Sequence, residues 1–409
     1  MNSPFQVFFD ITLPNASTWF YFSLILSCAF FLKFNRLISF RSLDVFAIYL
    51  FMPGLLLLLE GSTDPRVCYS WLMIASLYWL IRCLLDLILE RRPAFKPNLN
   101  VPGMLWMAMA LYVSLVAVAI REPQVSDQKQ LRSQTPIDKV REHGEKMIEV
   151  RSGANLDVSV LRLWMERGLF LFCHLVISVA LVLICWKHYG DYHLGFAAVT
   201  LFFLLPYSYL LMPYAGLKFG RWDHSWLMTL LLWALVFYQK PKVSGGLMGI
   251  LFGSLVFPIV LLPLWISFYR GRGMIAFVAS ALVGFVTSLA IVFLAYEGNA
   301  NALISTWIVS DWLPWREPMA DTQSFWHGIH WAYRLPVSLV FLVFSVSVFF
   351  WPFPKSFSHL VALSAALLIG IQFWYANHGG MYILWYLPLL MIVIFRPSFV
   401  VPEKNIVQG

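Results

Sequence analysis

The stretch from Pro206 to Gly273, PYSYLLMPYAGLKFGRWDHSWLMTLLLWALVFYQKPKVSGGLMGILFGSLVFPIVLLPLWISFYRGRG, decides how the chain is read. An apolar run enters a charged knot, Lys218 to His224, and another apolar run leaves it. Lys240 and Lys242 follow. Next comes a segment stepped by Gly245, Gly249 and Gly253 and broken by Pro258 and Pro263, which ends on Arg270 and Arg272. As one straight helix, residues 243–270 would be about 42 Å long, against a hydrocarbon core of ~30 Å. Such a helix would place basic residues on both faces of a membrane. As two short halves broken at Pro258, the segment returns to the side it left. Basic residues concentrate on the cytoplasmic side. Outside residues 121–167 the hairpin reading leaves Lys and Arg the more one-sided, so both ends of 243–270 are placed in the cytoplasm.

The composition around this stretch is that of a membrane protein. The 409 residues are 60% hydrophobic and 12% charged, with a mean hydropathy of +0.73. Soluble domains are nearer half apolar and a quarter charged. Apolar runs near 20 residues recur at 17–33, 43–60, 67–89, 102–120, 166–187, 192–212, 224–239, 273–296, 334–352, 357–376 and 380–396. The predicted fold is therefore all-α: one polytopic bundle over 1–409, with about eleven full spans plus the re-entrant hairpin. The net charge of +8 fits basic loops facing anionic lipid and not a nucleic-acid surface. Cys28, Cys68, Cys83, Cys173 and Cys185 are odd in number and unpaired in spacing, which indicates neither a disulfide framework nor a zinc site. P-loops, dinucleotide fingerprints and nucleophilic triads are absent from the sequence.

Two insertions stand out from the spans. Residues 121–165 read as an amphipathic insert on the outer face, with Thr135 capping a helix that opens at Pro136. Ile137, Val140, Met147 and Ile148 share one face. Arg141 with Glu145, and Glu142 with Lys146, form pairs four apart on a face predicted to be wet. Residues 297–333 form an outer loop holding Trp307, Trp312, Trp315, Trp326 and Trp331. Such tryptophans either mark the headgroup belt or stack on sugar rings.

Four groups carry chemistry worth testing. Asp223 beside His224 offers a proton acceptor next to an imidazole, and Arg221 could hold a phosphate oxygen. The bland reading is that Asp223 caps the next span. His327, His330 and Arg334, spaced three and four, would share a helix face that could clamp phosphate or, alternatively, mark a helix entering the membrane. Two histidines without a matching carboxylate do not indicate a metal site, and no cofactor is implied. Arg82, Asp86 and Glu90 read as an intramembrane ion pair with an interfacial acid. Gly245, Gly249 and Gly253 allow a close helix–helix approach.

The succession Gln239-Lys-Pro-Lys242, Gly245-Gly-Leu-Met-Gly249, Pro258, Pro263 and Arg270-Gly-Arg272 resembles the polytopic glycosyltransferases of the GT-C class. Within that class it is similar to the mannosyl/arabinofuranosyltransferases of family 87. Pro206-Tyr207, Leu262-Pro-Leu-Trp265 and Ser267-Phe-Tyr269 are also similar to planctomycete membrane proteins. The lysine usual in the family between the glycine steps and the prolines is replaced here by Ser254 to Phe257. The resemblance implies inverting transfer of a sugar from a polyprenyl-phosphate donor at the outer face of a bacterial inner membrane. It further implies an outer carboxylate as base, for which Asp64 and Asp223 are the candidates. Arg221, His327, His330 and Arg334 would offset phosphate charge, and Trp312, Trp315 and Trp326 would hold sugar. The partners implied are the lipid-linked donor and membrane lipids. A transporter of lipid-linked sugars and a non-enzymatic assembly protein are the alternatives from other classes.

Overall fold

The computed structural model describes residues 15–33, 39–61, 63–88, 97–121, 135–152, 158–209, 222–308, 313–315, 324–376 and 378–397. Among the described residues the regular structure is helical, with no strand. Among the described residues six helical stretches are long and apolar enough to cross a membrane: Ser42–Glu60, Pro65–Leu85, Val101–Ile120, Trp164–Tyr189, Met274–Ala295 and Trp331–Phe350. The protein is accordingly a multi-pass membrane protein built from helices.

The chain opens with α1 (Ala16–Phe31), α2 (Phe40–Ala47) and α3 (Phe51–Glu60). Next come α4 (Pro65–Leu85) and α5 (Val101–Arg121). The insert helix α6 (Pro136–Ser152) leads to the long α7 (Val158–Tyr189), then α8 (Tyr192–Leu204) and the single turn α9 (Pro206–Tyr209). Helix α10 (Trp222–Val236) precedes the hairpin segment, made of α11 (Pro241–Ser254), a 3-10 turn at Phe257–Leu261 and α12 (Leu262–Phe268). Beyond it are α13 (Met274–Ala295), α14 (Ala300–Ile308), α15 (Arg334–Phe350), α16 (Phe357–Gly370) and α17 (Leu387–Phe395).

Apolar side chains on α5, α13 and α15 point outward: Trp106, Val113, Ile275, Val283, Val340 and Val343 are all exposed. Lipid is the solvent for such faces. By contrast every residue of α17, and every residue of α16 except His359, is buried. A helix surrounded by protein need not match the thickness of the bilayer, and non-helical backbone at that depth is tolerated when protein covers it. This is why the apolar runs 192–212, 357–376 and 380–396 contain helices shorter than a span. Pro388 in the first turn and the 3-10 turn Ile383–Trp385 delay α17 until Leu387.

The hairpin segment closes on itself. Helix α11 stops at Ser254 and Leu255 is extended, because the ring of Pro258 would collide with the carbonyl of Ser254, four residues back. At the other end Tyr269 Oη donates to Tyr238 O at 2.7 Å. A Cβ on Gly273 would lie 2.9 Å from Pro241 Cγ, so the end of the segment touches its beginning. Helix α13 then runs along α11 with small residues between them. A Cβ on Gly249 would sit 2.0 Å from Ala281 O, and one on Gly284 would sit 2.4 Å from Gly246 O. The glycine steps are thus a backbone-to-backbone contact.

The pairing predicted for Arg82 and Asp86 belongs to a larger buried network. Arg82 grips Asp44 through two 2.7 Å bonds, from Nε and Nη2, and reaches Asp86 Oδ1 at 3.2 Å. Arg396 Nη1 donates to Asp86 Oδ2 at 2.8 Å. Two acids and two arginines therefore tie α2, α4 and the chain following α17 at one end of the bundle. Glu90 lies outside the described residues.

Helix α6 reverses the polarity predicted for it. Arg141, Glu145 and Asp138 are buried, whereas Met147, Ile148 and Val150 are exposed. The reason is the solvent. On a membrane protein the apolar face can meet lipid, while charges gain more from partners on the bundle. Arg141 bonds Asp138 and Glu145, and its Nη2 lies 3.1 Å from Glu166 Oε1 on α7. Burial alone would lower the pKa of this guanidinium, but the hydrogen bond to Asp138 and the charges of Asp138, Glu166 and Glu145 raise it above its usual value. Glu142 and Lys146 do pair on the open side, at 3.7 Å.

Candidate functional site

The end of the bundle opposite the Arg82 network is organised by residues 371–386. The buried Gln372 amide sews this segment together: Oε1 accepts from Gly380 N at 3.0 Å and Tyr382 N at 3.2 Å, and Nε2 donates to Tyr382 O at 3.0 Å. The turn is tight enough that a Cβ on Gly379 would lie 2.5 Å from Gln372 O. His378 there adopts φ +52°, a conformation uncommon for a side chain with a Cβ.

Four elements fasten to this segment. Tyr69 of α4 shares a 2.7 Å hydrogen bond with His378 Nδ1. Trp326 Nε1 donates to Phe373 O at 3.0 Å. Arg334, fully buried at the start of α15, donates from Nε to Trp374 O at 3.2 Å and from Nη2 to Leu313 O at 3.0 Å. Trp385 Nε1 donates to His224 Nδ1 at 2.8 Å.

The last bond fixes a protonation state. An indole N–H can only donate, so Nδ1 of His224 is the bare acceptor and the neutral ring carries its proton on Nε2. That ring lies against aromatic faces. Tyr382 and Trp385 stack at 4.3 Å and 4°, His224 is 4.9 Å from Tyr382, and Phe257 covers Trp385 at 4.1 Å and 22°. Phe257 belongs to the turn of the hairpin. Trp226 Nε1 also donates to Ser254 Oγ, at 3.1 Å, where α11 ends. The hairpin therefore inserts its tip into the site.

The carboxylates are held separately. Asp223 is buried, and Thr135 Oγ1 donates to its Oδ2 at 2.7 Å. Its neighbour Trp222 donates from Nε1 to Asp138 Oδ1 at 3.2 Å. Two side chains at the start of α10 thus clamp the first turn of the insert helix. Asp64 is exposed and caps α4, accepting from Arg66 N at 2.9 Å ahead of Pro65. Arg66 Nη2 reaches His327 O at 3.0 Å, which brings Asp64 and the tryptophan-rich loop together.

The predicted site residues are therefore only partly assembled. Asp64 and His327 meet through Arg66, and His224 and Arg334 meet through residues 371–386. Asp223 and His224, adjacent in sequence, diverge to Thr135 and Trp385 respectively. His327, His330 and Arg334 do not share a helix face, since α15 begins only at Arg334. His330 instead caps a 3-10 turn, its Nδ1 accepting from Ala332 N at 3.3 Å. Trp315 is exposed, whereas Trp326 is buried with its N–H committed. Arg221 and Trp312 lie outside the described residues. Among the described residues no group of three or more His, Cys, Asp or Glu is placed to hold a metal. Tyr69, Gln372, Tyr382 and Trp385 carry no signal in the sequence, and Thr135, read there as a helix cap, gives no sign of its bond to Asp223. Comparison with protein-family models, with curated proteins and with solved structures returns no match.

Proposed function

We propose that the protein is a membrane glycosyltransferase that moves a sugar from a polyprenyl-phosphate donor to an acceptor at the outer face of the membrane. In this reading the chain crosses about eleven times, as a GT-C-like bundle in a bacterial inner membrane. Segment 243–270 is re-entrant from the cytoplasm. The shorter helices complete their crossings with the 3-10 turns and extended links that protein covers.

The observation that carries the reading is the convergence of His224, Tyr382, Trp385 and the hairpin tip on one segment that also anchors Tyr69 and Arg334. This end also holds Asp64 and His327. It combines flat aromatic faces, an imidazole with its proton on Nε2, and an exposed carboxylate. Those are the groups that sugar transfer needs. The acceptor hydroxyl attacks the anomeric carbon, its proton passes to a carboxylate, and the bond to phosphate breaks with its electron pair on the departing oxygen. Asp64 is the accessible base and Asp223 the buried alternative. His327 and His330 offset the phosphate charge from the surface, and Arg334 adds fixed positive charge behind them. A transporter would need mid-span charges along its path, yet Arg82 and Asp86 are closed into an ion network.

The test is a transfer assay on the purified full chain with polyprenyl-phosphate sugars, comparing Asp64→Asn and Asp223→Asn. Loss of a general base lowers turnover by about 10²–10⁴-fold. Activity that survives both substitutions undamaged would remove the assigned bases. No transfer from any such donor by the unaltered protein would remove the function.

A further inference from the structure

We propose that the base of the hairpin is a binding site for the phosphate headgroup of an anionic membrane lipid. The closure of the segment gathers cations that the sequence keeps far apart. With Gly273 against Pro241 and Tyr269 bonded to Tyr238, Lys240 and Lys242 come beside Arg270 and Arg272, and all four are exposed. Among the described residues none of the four is in an ion pair. Asp191 caps α8, and Asp44 and Asp86 are closed into the arginine network, so each of these acids is engaged elsewhere. Four like charges held together without a protein counter-ion call for an external anion.

The surroundings specify where that anion comes from. Arg270 Cζ lies 5.5 Å from the Phe353 ring centroid, and Arg272 donates to Lys355 O at 3.4 Å. Both contacts place the cations beside the turn that follows α15. Trp351 and Phe353 in that turn are exposed, and they continue the outward apolar face of α15. Exposed aromatics at the end of a lipid-facing helix mark the headgroup level. Basic pockets at that level bind anionic headgroups. Arginine presents a fork that fits phosphate oxygens, and the lysines add mobile charge. The occupant is therefore a phospholipid already in the membrane. The site is separate from the sugar-transfer end and does not rest on that reaction.

The experiment uses the full chain in nanodiscs of phosphatidylglycerol or of phosphatidylcholine, with thermal stability and lipids retained in native mass spectrometry as readouts. The unaltered protein is expected to retain and be stabilised by phosphatidylglycerol in preference to phosphatidylcholine. Each of Lys240→Gln, Lys242→Gln, Arg270→Gln and Arg272→Gln should weaken that preference by roughly fivefold. Lys139→Gln with Lys146→Gln, on the insert helix, should leave it unchanged. The four side chains are exposed, so the variants should fold, and Arg270→Lys with Arg272→Lys should keep most of the preference. Equal retention of the two lipids would overturn the proposal, as would a preference that survives the four neutral substitutions. Inorganic phosphate giving the same protection as the lipid would overturn the membrane source.

Discussion

The contact between α11 and α13 gives a test in which two glycines three residues apart should respond in opposite directions. At Gly249 an added Cβ would lie 2.0 Å from Ala281 O and 2.8 Å from both Ala281 C and Phe285 N, all backbone atoms. A carbon–oxygen contact settles near 3.3 Å, so Gly249→Ala must push the helices apart by about 1.3 Å. A gap of that size forfeits about half or more of each nearby dispersion contact. Overpacking of this kind costs about 1–3 kcal/mol, offset by about 0.5–1 kcal/mol from alanine's better helix propensity. Net destabilisation should lie within about 0–2.5 kcal/mol, centred near 1 kcal/mol. At Gly246 an added Cβ would meet nothing within 4 Å, so Gly246→Ala should be neutral or stabilise by up to about 1 kcal/mol. Thermal unfolding of both variants in one detergent measures the difference. Equal shifts for the two, or a more stable Gly249→Ala, would refute the backbone contact.

The remaining predictions concern charge and hydrogen bonding. Asp44→Asn should cost about 3–5 kcal/mol in denaturant unfolding by leaving Arg82 buried with part of its pairing lost. Asp44→Leu with Arg82→Met should recover much of that loss, which a double-mutant cycle reads directly. Lys355 is buried in the turn after α15, with Nζ donating to Ser267 Oγ, Pro352 O and Phe349 O. Burial pulls its pKa from 10.5 down to about 8. Between those values the unfolded chain binds the extra proton, so stability should rise with pH across that window and fall back as pH drops through 8. Stability measured against pH should show that slope, and Lys355→Met should flatten it. Thr135→Val removes the hydroxyl donor to buried Asp223 and should cost about 1.5–3 kcal/mol, with easier proteolysis of the insert. Unchanged stability would mean that the insert helix is held without that bond.

What was legible in sequence follows from what hydropathy measures. It reports apolarity, and α5, α13 and α15 are apolar because lipid touches them, so their spans are read correctly. The runs holding α16 and α17 are equally apolar because protein surrounds them, and nothing in their composition separates the two cases. Pro258 announced the hairpin break because a proline acts on a carbonyl four residues back, which is local information. The network around Arg82 is only half visible: Asp86 lies one turn away, while Asp44 on another helix, and Arg396 as the second partner of Asp86, arrive through tertiary packing. Charge alone assigns Arg141 and Glu145 to a wet face, but Arg141 has a further partner, Glu166, on another helix. The site suffered most from this limit. Asp223 and His224 are adjacent in sequence and part company in space, while His224 finds Trp385, and the N–H of Trp326 is committed to a backbone carbonyl.

The central structural claim is that the 241–273 segment leaves and re-enters on one side of the membrane, delivering its turn to the site around His224. Single cysteines at Lys240, Arg272 and Arg66, in a background without the native cysteines, test it with a membrane-impermeant maleimide. The expected result is that positions 240 and 272 label together from the cytoplasmic side, with position 66 labelling only from the opposite side. Labelling of 240 and 272 from opposite sides would contradict it.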